Sequence, residues 1–198
     1  MTSEGVVGAI SGEHGAGWSV LALPATWDEL ILPDVSRDLL RSISGDVRFR
    51  RREGENGHPE LRPSPRRLMF AGERGTGKLL AARVLASDLG LALVRVELGT
   101  LLRGPRAANE ERLSALFDAP ERLGAIVYLD DAGTWFGDRV GGSVRRDSAT
   151  DPEQAALLGR VDAHHGLVLF AANLGIASPA VIERLDHTVE FPFPDERG

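Results

Sequence analysis

The sequence predicts an α/β fold: a parallel sheet of five strands in the middle of three layers, with helices on both faces. Three observations predict it. Short apolar runs alternate with amphipathic stretches of helical period through the second two-thirds of the chain. The runs LMF, AIVYL and LVLFAA are continuously apolar, as strands buried on both faces of a parallel sheet must be. The first of these runs leads directly through a glycine-rich loop, Gly72–Leu79, into a helix.

The elements follow in order. Residues 1–26 contain a stretch rich in Gly, Ser and Glu and are expected to be a weakly ordered N-terminal segment. Residues 27–66 are expected to form a helix and a linker. After Pro33, Val35, Leu39, Leu40, Ile43 and Val47 recur at helical spacing, and residues 53–65, with their Pro and Gly, read as an exposed loop. The core is placed at 67–198. It opens with a strand at Leu68–Ala71 and a helix at Lys78–Leu89, whose Leu80, Ala81, Val84, Leu85 and Leu89 share a face. A strand at Leu91–Leu98, a helix over 108–118 and a strand at Ala125–Leu129 come next. Residues 137–150 lack apolar periodicity and read as a loop. Asp151-Pro152-Glu153 then opens a helix through Ala163. Leu167–Ala172 is the fourth strand, Ser178-Pro179 opens a short helix, and Thr188–Phe191 is the fifth strand. Right-handed crossovers would join these strands into an open sheet.

Composition narrows the function. The 198 residues carry 23 basic and 29 acidic side chains, a net charge of −6, which speaks against a dedicated nucleic-acid or membrane-surface binder. Cysteine is absent, so disulfides and thiolate chemistry are excluded. No Lys or Arg precedes Arg37, and no run approaches the about 20 apolar residues of a membrane span, so the chain is expected in the cytoplasm. Among the basic residues Lys78 is the only lysine.

That lysine sits in the strongest motif. Gly72-Glu73-Arg74-Gly75-Thr76-Gly77-Lys78-Leu79 matches G-x-x-x-x-G-K without the final Ser or Thr. Glycines let backbone N–H groups converge on phosphate oxygens, the helix start adds the positive end of its dipole, and Lys78 reaches the β- and γ-phosphates. A bare loop of this composition is also compatible with a plain turn. The strand before it and the helix after it select nucleotide binding, and all eight residues are candidate nucleotide contacts. Further on, the apolar strand of AIVYLDD ends in Asp130 and Asp131. Carboxylates at the C-terminal edge of such a sheet lie where α/β ligands collect. Asp130 is the candidate Mg²⁺ ligand and Asp131 the residue that orients the attacking water. Asn173, after LVLFAA, offers an amide that can donate and accept at the γ-phosphate or the lytic water.

Taken together, FAGERGTGK, YLDDAGTWFGDR, the strand-terminal Asn173, and Arg184 within RLDHTVEFPFPD resemble the core of an AAA+ ATPase, a P-loop NTPase, from about Trp27 to Pro194. With WDELILP, these segments also resemble a bacterial AAA subgroup that includes ATPases accompanying phage-tail-like contractile injection systems. The resemblance implies ATP and Mg²⁺ as cofactors and assembly with itself or with related AAA+ subunits. It also implies remodelling of a macromolecular client, protein rather than nucleic acid or membrane. Asn173 would take the sensor role, and Arg184 that of an arginine finger reaching a neighbour's nucleotide.

The sequence departs from that pattern where chemistry is done. Leu79 replaces the hydroxyl that binds Mg²⁺, and an alkyl chain cannot ligate a hard cation. Asp131 replaces the more usual Glu, one methylene shorter, and Glu183 stands where a second Arg is common. The segment LGTLLRGPRAAN carries no aromatic to grip a threaded polypeptide, Pro105 lying near the expected place. No helical lid follows FPFPD before Gly198, so either this is a fragment or the lid is absent. Two readings result: an ATPase whose turnover is slow in isolation, or a degenerate module in which nucleotide is a structural or regulatory ligand without turnover. A third, a DNA-handling protein, would need Arg48–Arg52 to join a larger basic face; that run reads instead as a solvated helix end. The five histidines show no metal-ligand spacing, and Trp27, Trp135 and Tyr128 read as packing residues.

Overall fold

The structure is a computed structural model and describes residues 17–21, 24–55, 66–133, 152–173 and 179–193. The loop expected at 137–150, most of that at 53–65, Trp135 and the caps Asp151 and Ser178 lie outside these residues. The strands are β1 (Trp18–Leu21), β2 (Arg66–Ala71), β3 (Leu93–Glu97), β4 (Ile126–Asp130), β5 (Leu167–Ala172) and β6 (His187–Glu190). The helices are α1 (Asp34–Glu55), α2 (Lys78–Leu89), α3 (Leu98–Leu101), α4 (Arg106–Leu123), α5 (Pro152–Ala163) and α6 (Pro179–Ile182).

These strands make one sheet in the order β1-β3-β4-β5-β2-β6. The sheet therefore has six strands rather than the expected five, and it is mixed rather than wholly parallel. The additional strand, β1, comes from the 1–26 stretch and pairs antiparallel with β3, Trp18 opposite Val96 and Leu21 opposite Leu93. Its four residues, WSVL, are too few for their alternation to mark them as a strand; they pair with the open edge of β3. All other pairings are parallel.

The period of two along each strand divides the core. Met69, Ala71, Val94, Val96, Val127, Leu129, Val168 and Phe170 pack on one face with Leu98 and Leu101 of α3 and apolar residues of α4 and α5. Leu68, Phe70, Leu93, Ile126, Tyr128, Leu169 and Ala171 pack on the other face with α1 and α2. The three layers expected from the apolar runs are thus present. No helix among the described residues is long and apolar enough to cross a membrane.

The loop between α3 and α4 is tied down by the buried Asn109, 1 % exposed. Its amide accepts from Gly104 N–H at 3.1 Å and donates to Gly104 O at 2.9 Å and to Glu153 Oε1 at 3.0 Å. On the opposite face, the Arg48–Arg52 run is engaged in packing. Arg48 Nη2 donates to Asp88 O and Arg51 Nη1 to Leu89 O, at 2.9 and 3.0 Å, covering carbonyls at the end of α2. Arg48 also pairs with the Asp88 carboxylate at 2.7 Å, and the buried Ser44 hydroxyl donates to Asp88 Oδ2 at 2.5 Å.

Burial pushes the Asp88 carboxyl up, but hydrogen bonds from Ser44 and Trp27 and the Arg48 guanidinium outweigh it and hold the group below its ordinary value. Such a carboxylate adds stability that is complete above its unfolded value, about 3.9, and is lost as pH falls through the folded value. Asp88→Ala is expected to lower unfolding stability by about 1–3 kcal/mol at neutral pH. The gap to the parent chain should narrow in urea titrations below about pH 4.

Candidate nucleotide site

The C-terminal ends of β2, β4 and β5 reach one edge of the sheet together, because the register sets Ala71 beside Ala172 and Leu129 beside Phe170. β5 lies between β2 and β4. Asn173 therefore stands between the phosphate loop that follows β2 and the acids that end β4. Between these ends opens a cavity of about 430 Å³. It is lined by Gly75, Gly77, Lys78 and Leu79 from the loop, Asp130 and Asp131 from β4, and Asn173 from β5.

The loop is shaped by its glycines. Gly75 and Gly77 have φ of +87° and +91°, a region in which side chains are strained, and Gly77 caps the start of α2. Gly72 is required for a different reason. A Cβ there would come within 2.3 Å of Phe191 O and 2.8 Å of Phe191 Cβ, because Phe191 continues β6 alongside β2 and its N–H donates to Ala71 O at 2.7 Å. Thr76 folds inward and its hydroxyl donates to Glu73 O at 2.8 Å, bracing the turn.

Lys78 curls over this loop. Its ammonium donates to Gly72 O at 2.5 Å and Glu73 O at 2.6 Å. Burial pushes it below the ordinary lysine value, while Asp130 and Asp131 act the other way. A half-buried cation held by neutral carbonyls beside a cavity suits an incoming polyanion, so the residues present fit nucleotide phosphates.

The two acids have partners that the sequence did not disclose. Asp130 Oδ2 accepts from Arg95 Nε at 2.9 Å and from Arg95 Nη2 at 2.6 Å. Arg95 lies on β3, where the parallel register puts it beside Tyr128, two residues before Asp130 and on the same face of the sheet. Asp131 adopts φ +53°, an uncommon conformation for a residue other than glycine, and its Oδ2 accepts from Arg74 Nη2 at 2.8 Å. A divalent cation fits the site poorly as it stands. Leu79 offers no oxygen, Arg95 engages Asp130, and no group of three or more metal-ligating side chains occurs among the described residues.

Arg184 is not brought to the cavity. It precedes β6, whose first residue pairs with Leu68, and so lies at the N-terminal edge of the sheet, away from Lys78. There its Nε donates to Asp162 Oδ1 and Oδ2 at 3.1 and 3.0 Å. Tyr128 is a packing residue, as expected, and is 2 % exposed, yet it also forms part of the cavity wall.

A sequence profile of the ATPase family associated with various cellular activities (AAA) matches residues 68–193, well over half of the chain. The chain belongs to the AAA family. This AAA domain is 31% identical over 158 residues to the 26S proteasome regulatory subunit 8 of Caenorhabditis elegans, covering 71% of this chain and 37% of that protein. With the corresponding homologue of Saccharomyces cerevisiae it is 26% identical over 178 residues, covering 82% and 44%. It thus spans less than half the length of either relative. Among solved structures, a chain of the E. coli MS115-1 HORMA:CdnC:Trip13 complex superimposes with a TM-score of 0.60 at 20% identity, over 85% of this chain and 65% of that one. That likeness bears on the fold, which is the AAA+ P-loop fold.

Of the residues singled out in the sequence, Arg74, Gly75, Gly77, Lys78, Leu79, Asp130, Asp131 and Asn173 meet at one cavity. Arg95 was missed: within LVRVE it reads as the polar position of a strand, and only the neighbouring strand reveals its partner. The Gly72 contact yields a direct test. Gly72→Ala is expected to raise φ strain little but to separate β6 from the loop, lowering the thermal midpoint by several degrees, about 1–3 kcal/mol of overpacking. Differential scanning calorimetry of the two chains measures it.

Proposed function

We propose that this chain is the ATP-binding core of an AAA+ assembly that remodels a macromolecular, most simply protein, partner, and that it turns ATP over slowly on its own. One observation carries the reading: a half-buried Lys78, a glycine-shaped loop, Asp131 and Asn173 converge on one cavity at the C-terminal edge of the sheet. Family membership supports nucleotide binding, and the proteasome regulatory subunits among its relatives support an oligomer acting on protein.

In this reading the loop amides and Lys78 hold the phosphates. Hydrolysis would be in-line attack of water on the γ-phosphate. Asn173 orients the γ-phosphate or the water, and Asp131 accepts the water's proton once Arg74 has released it. Each contribution is weakened here. Asp131 is a short acid engaged by Arg74, and Asp130 is engaged by Arg95. Arg184, at the far edge, can act only on a neighbour's nucleotide and would first leave Asp162. A missing arginine finger alone costs on the order of 10³–10⁵ in rate. The pairing of both acids also favours a second reading, in which ATP is a structural or regulatory ligand without turnover.

Lys78→Ala is expected to weaken ATP binding at least about tenfold by isothermal titration, the worth of a charge-assisted contact. Asp131→Asn should retain binding and lose phosphate release. Phosphate release per chain should rise with protein concentration, because the neighbour completes the site, and Arg184→Ala should flatten that rise. Tight binding with no release at any concentration would establish the second reading in place of the first.

A further inference from the structure

Within the nucleotide site, the positive charge at the end of β4 belongs to the protein. Arg95 places two N–H groups on a single carboxylate oxygen of Asp130, at 2.6 and 2.9 Å, and approaches Glu97 Oε1 at 3.6 Å. A guanidinium is charged at any pH at which the chain is folded. Arg95 is not sealed off by this pairing. About a third of its side chain is exposed, and it lines the same cavity as Gly75, Gly77 and Lys78.

A guanidinium carries five N–H donors in a planar fork, and the bonds to Asp130 use two of them. Those remaining suit phosphate oxygens, which arginine binds in forked, charge-assisted pairs. The loop side of the cavity supplies the complementary loss. Leu79, where a hydroxyl would ligate a cation, presents only carbon and packs against the apolar cluster under α2. A triphosphate entering this cavity meets Lys78 and Arg74 on the loop side and Arg95 on the β4 side. Each arginine shares its charge with an acid of the same cavity, so the phosphates would draw on the guanidinium N–H groups that the acids leave unused.

We propose that Arg95 takes the place of the divalent cation in nucleotide binding: anchored on Asp130, it contacts the terminal phosphates of the nucleotide, so that binding needs no Mg²⁺. Arg95 is thus a binding residue, and its hold on Asp130 separates nucleotide binding from metal binding. The inference rests on the nucleotide-site reading above and deepens it.

The test is displacement of a fluorescent ATP analogue by ATP from the full chain, at fixed ionic strength, in Mg²⁺ and in EDTA. The wild-type affinity is expected to differ by less than about threefold between the two media, less than 1 kcal/mol. Arg95→Gln is expected to bind at least about tenfold more weakly in EDTA and to regain affinity in Mg²⁺, because Asp130 is released to the ion. A wild-type chain that loses tenfold or more on chelation overturns the proposal, and this arm depends on no variant folding. So does an Arg95→Gln chain that folds by circular dichroism and binds as tightly as the parent in EDTA. Absence of binding in both media would instead bring down the nucleotide-site reading, and this proposal with it.

Discussion

The position of β5 between β2 and β4 is the constraint on which the rest depends. Leu167–Ala172 is buried along its whole length and bonds to both neighbours, so it can be neither short nor polar. Its register brings three strand ends to one edge. The phosphate loop follows one neighbour, the acid pair ends the other, and Asn173 emerges between them. A slip of one residue would turn Phe170 and Val168 from one core to the other and carry Asn173 out of line. The site's geometry is therefore a consequence of apolar packing two layers deep, more than of any contact within the site.

Electrostatics at that edge runs against the order usual for a metal-dependent phosphate site. Three cationic side chains, Lys78, Arg74 and Arg95, face Asp130 and Asp131 across one cavity. Each acid is engaged by an arginine, and the lysine rests on backbone carbonyls. In the proposed binding mode Lys78 and Arg74 would exchange their carbonyl and carboxylate partners for phosphate oxygens, while Arg95 keeps Asp130. Arg74 and Asp131 are both more than half exposed, and their pair is screened and easily broken; Arg95 and Asp130 are more sheltered, and theirs is the firmer one.

Much of this was legible in the sequence, for local reasons. The loop at 72–79 declares itself because φ > 0 needs glycine and because the strand before it and the helix after it are continuous in the chain. LVLFAA and AIVYL announce burial on both faces. What was not legible is non-local. WSVL becomes a strand only because β3 has a free edge, which turns five strands into six. Strand order is not written in any one strand, so nothing in the chain placed Asn173 between the loop and the acids. Arg95 and Asp130 are 35 residues apart and meet through the register of β3 on β4. Arg48 and Arg51 read as a solvated helix end, yet they cover the last carbonyls of α2, a role visible only once α1 and α2 pack together.

In the proposed function ATP lies on the loop between β2 and α2, under Lys78. Hydrogen–deuterium exchange resolved to single amides, with and without ATP, addresses it most directly. Exchange is expected to slow at the amides of 74–79, with the helix amides beyond residue 84 unchanged. Slowing confined to another part of the surface, or none at the loop at saturating ATP, would contradict it.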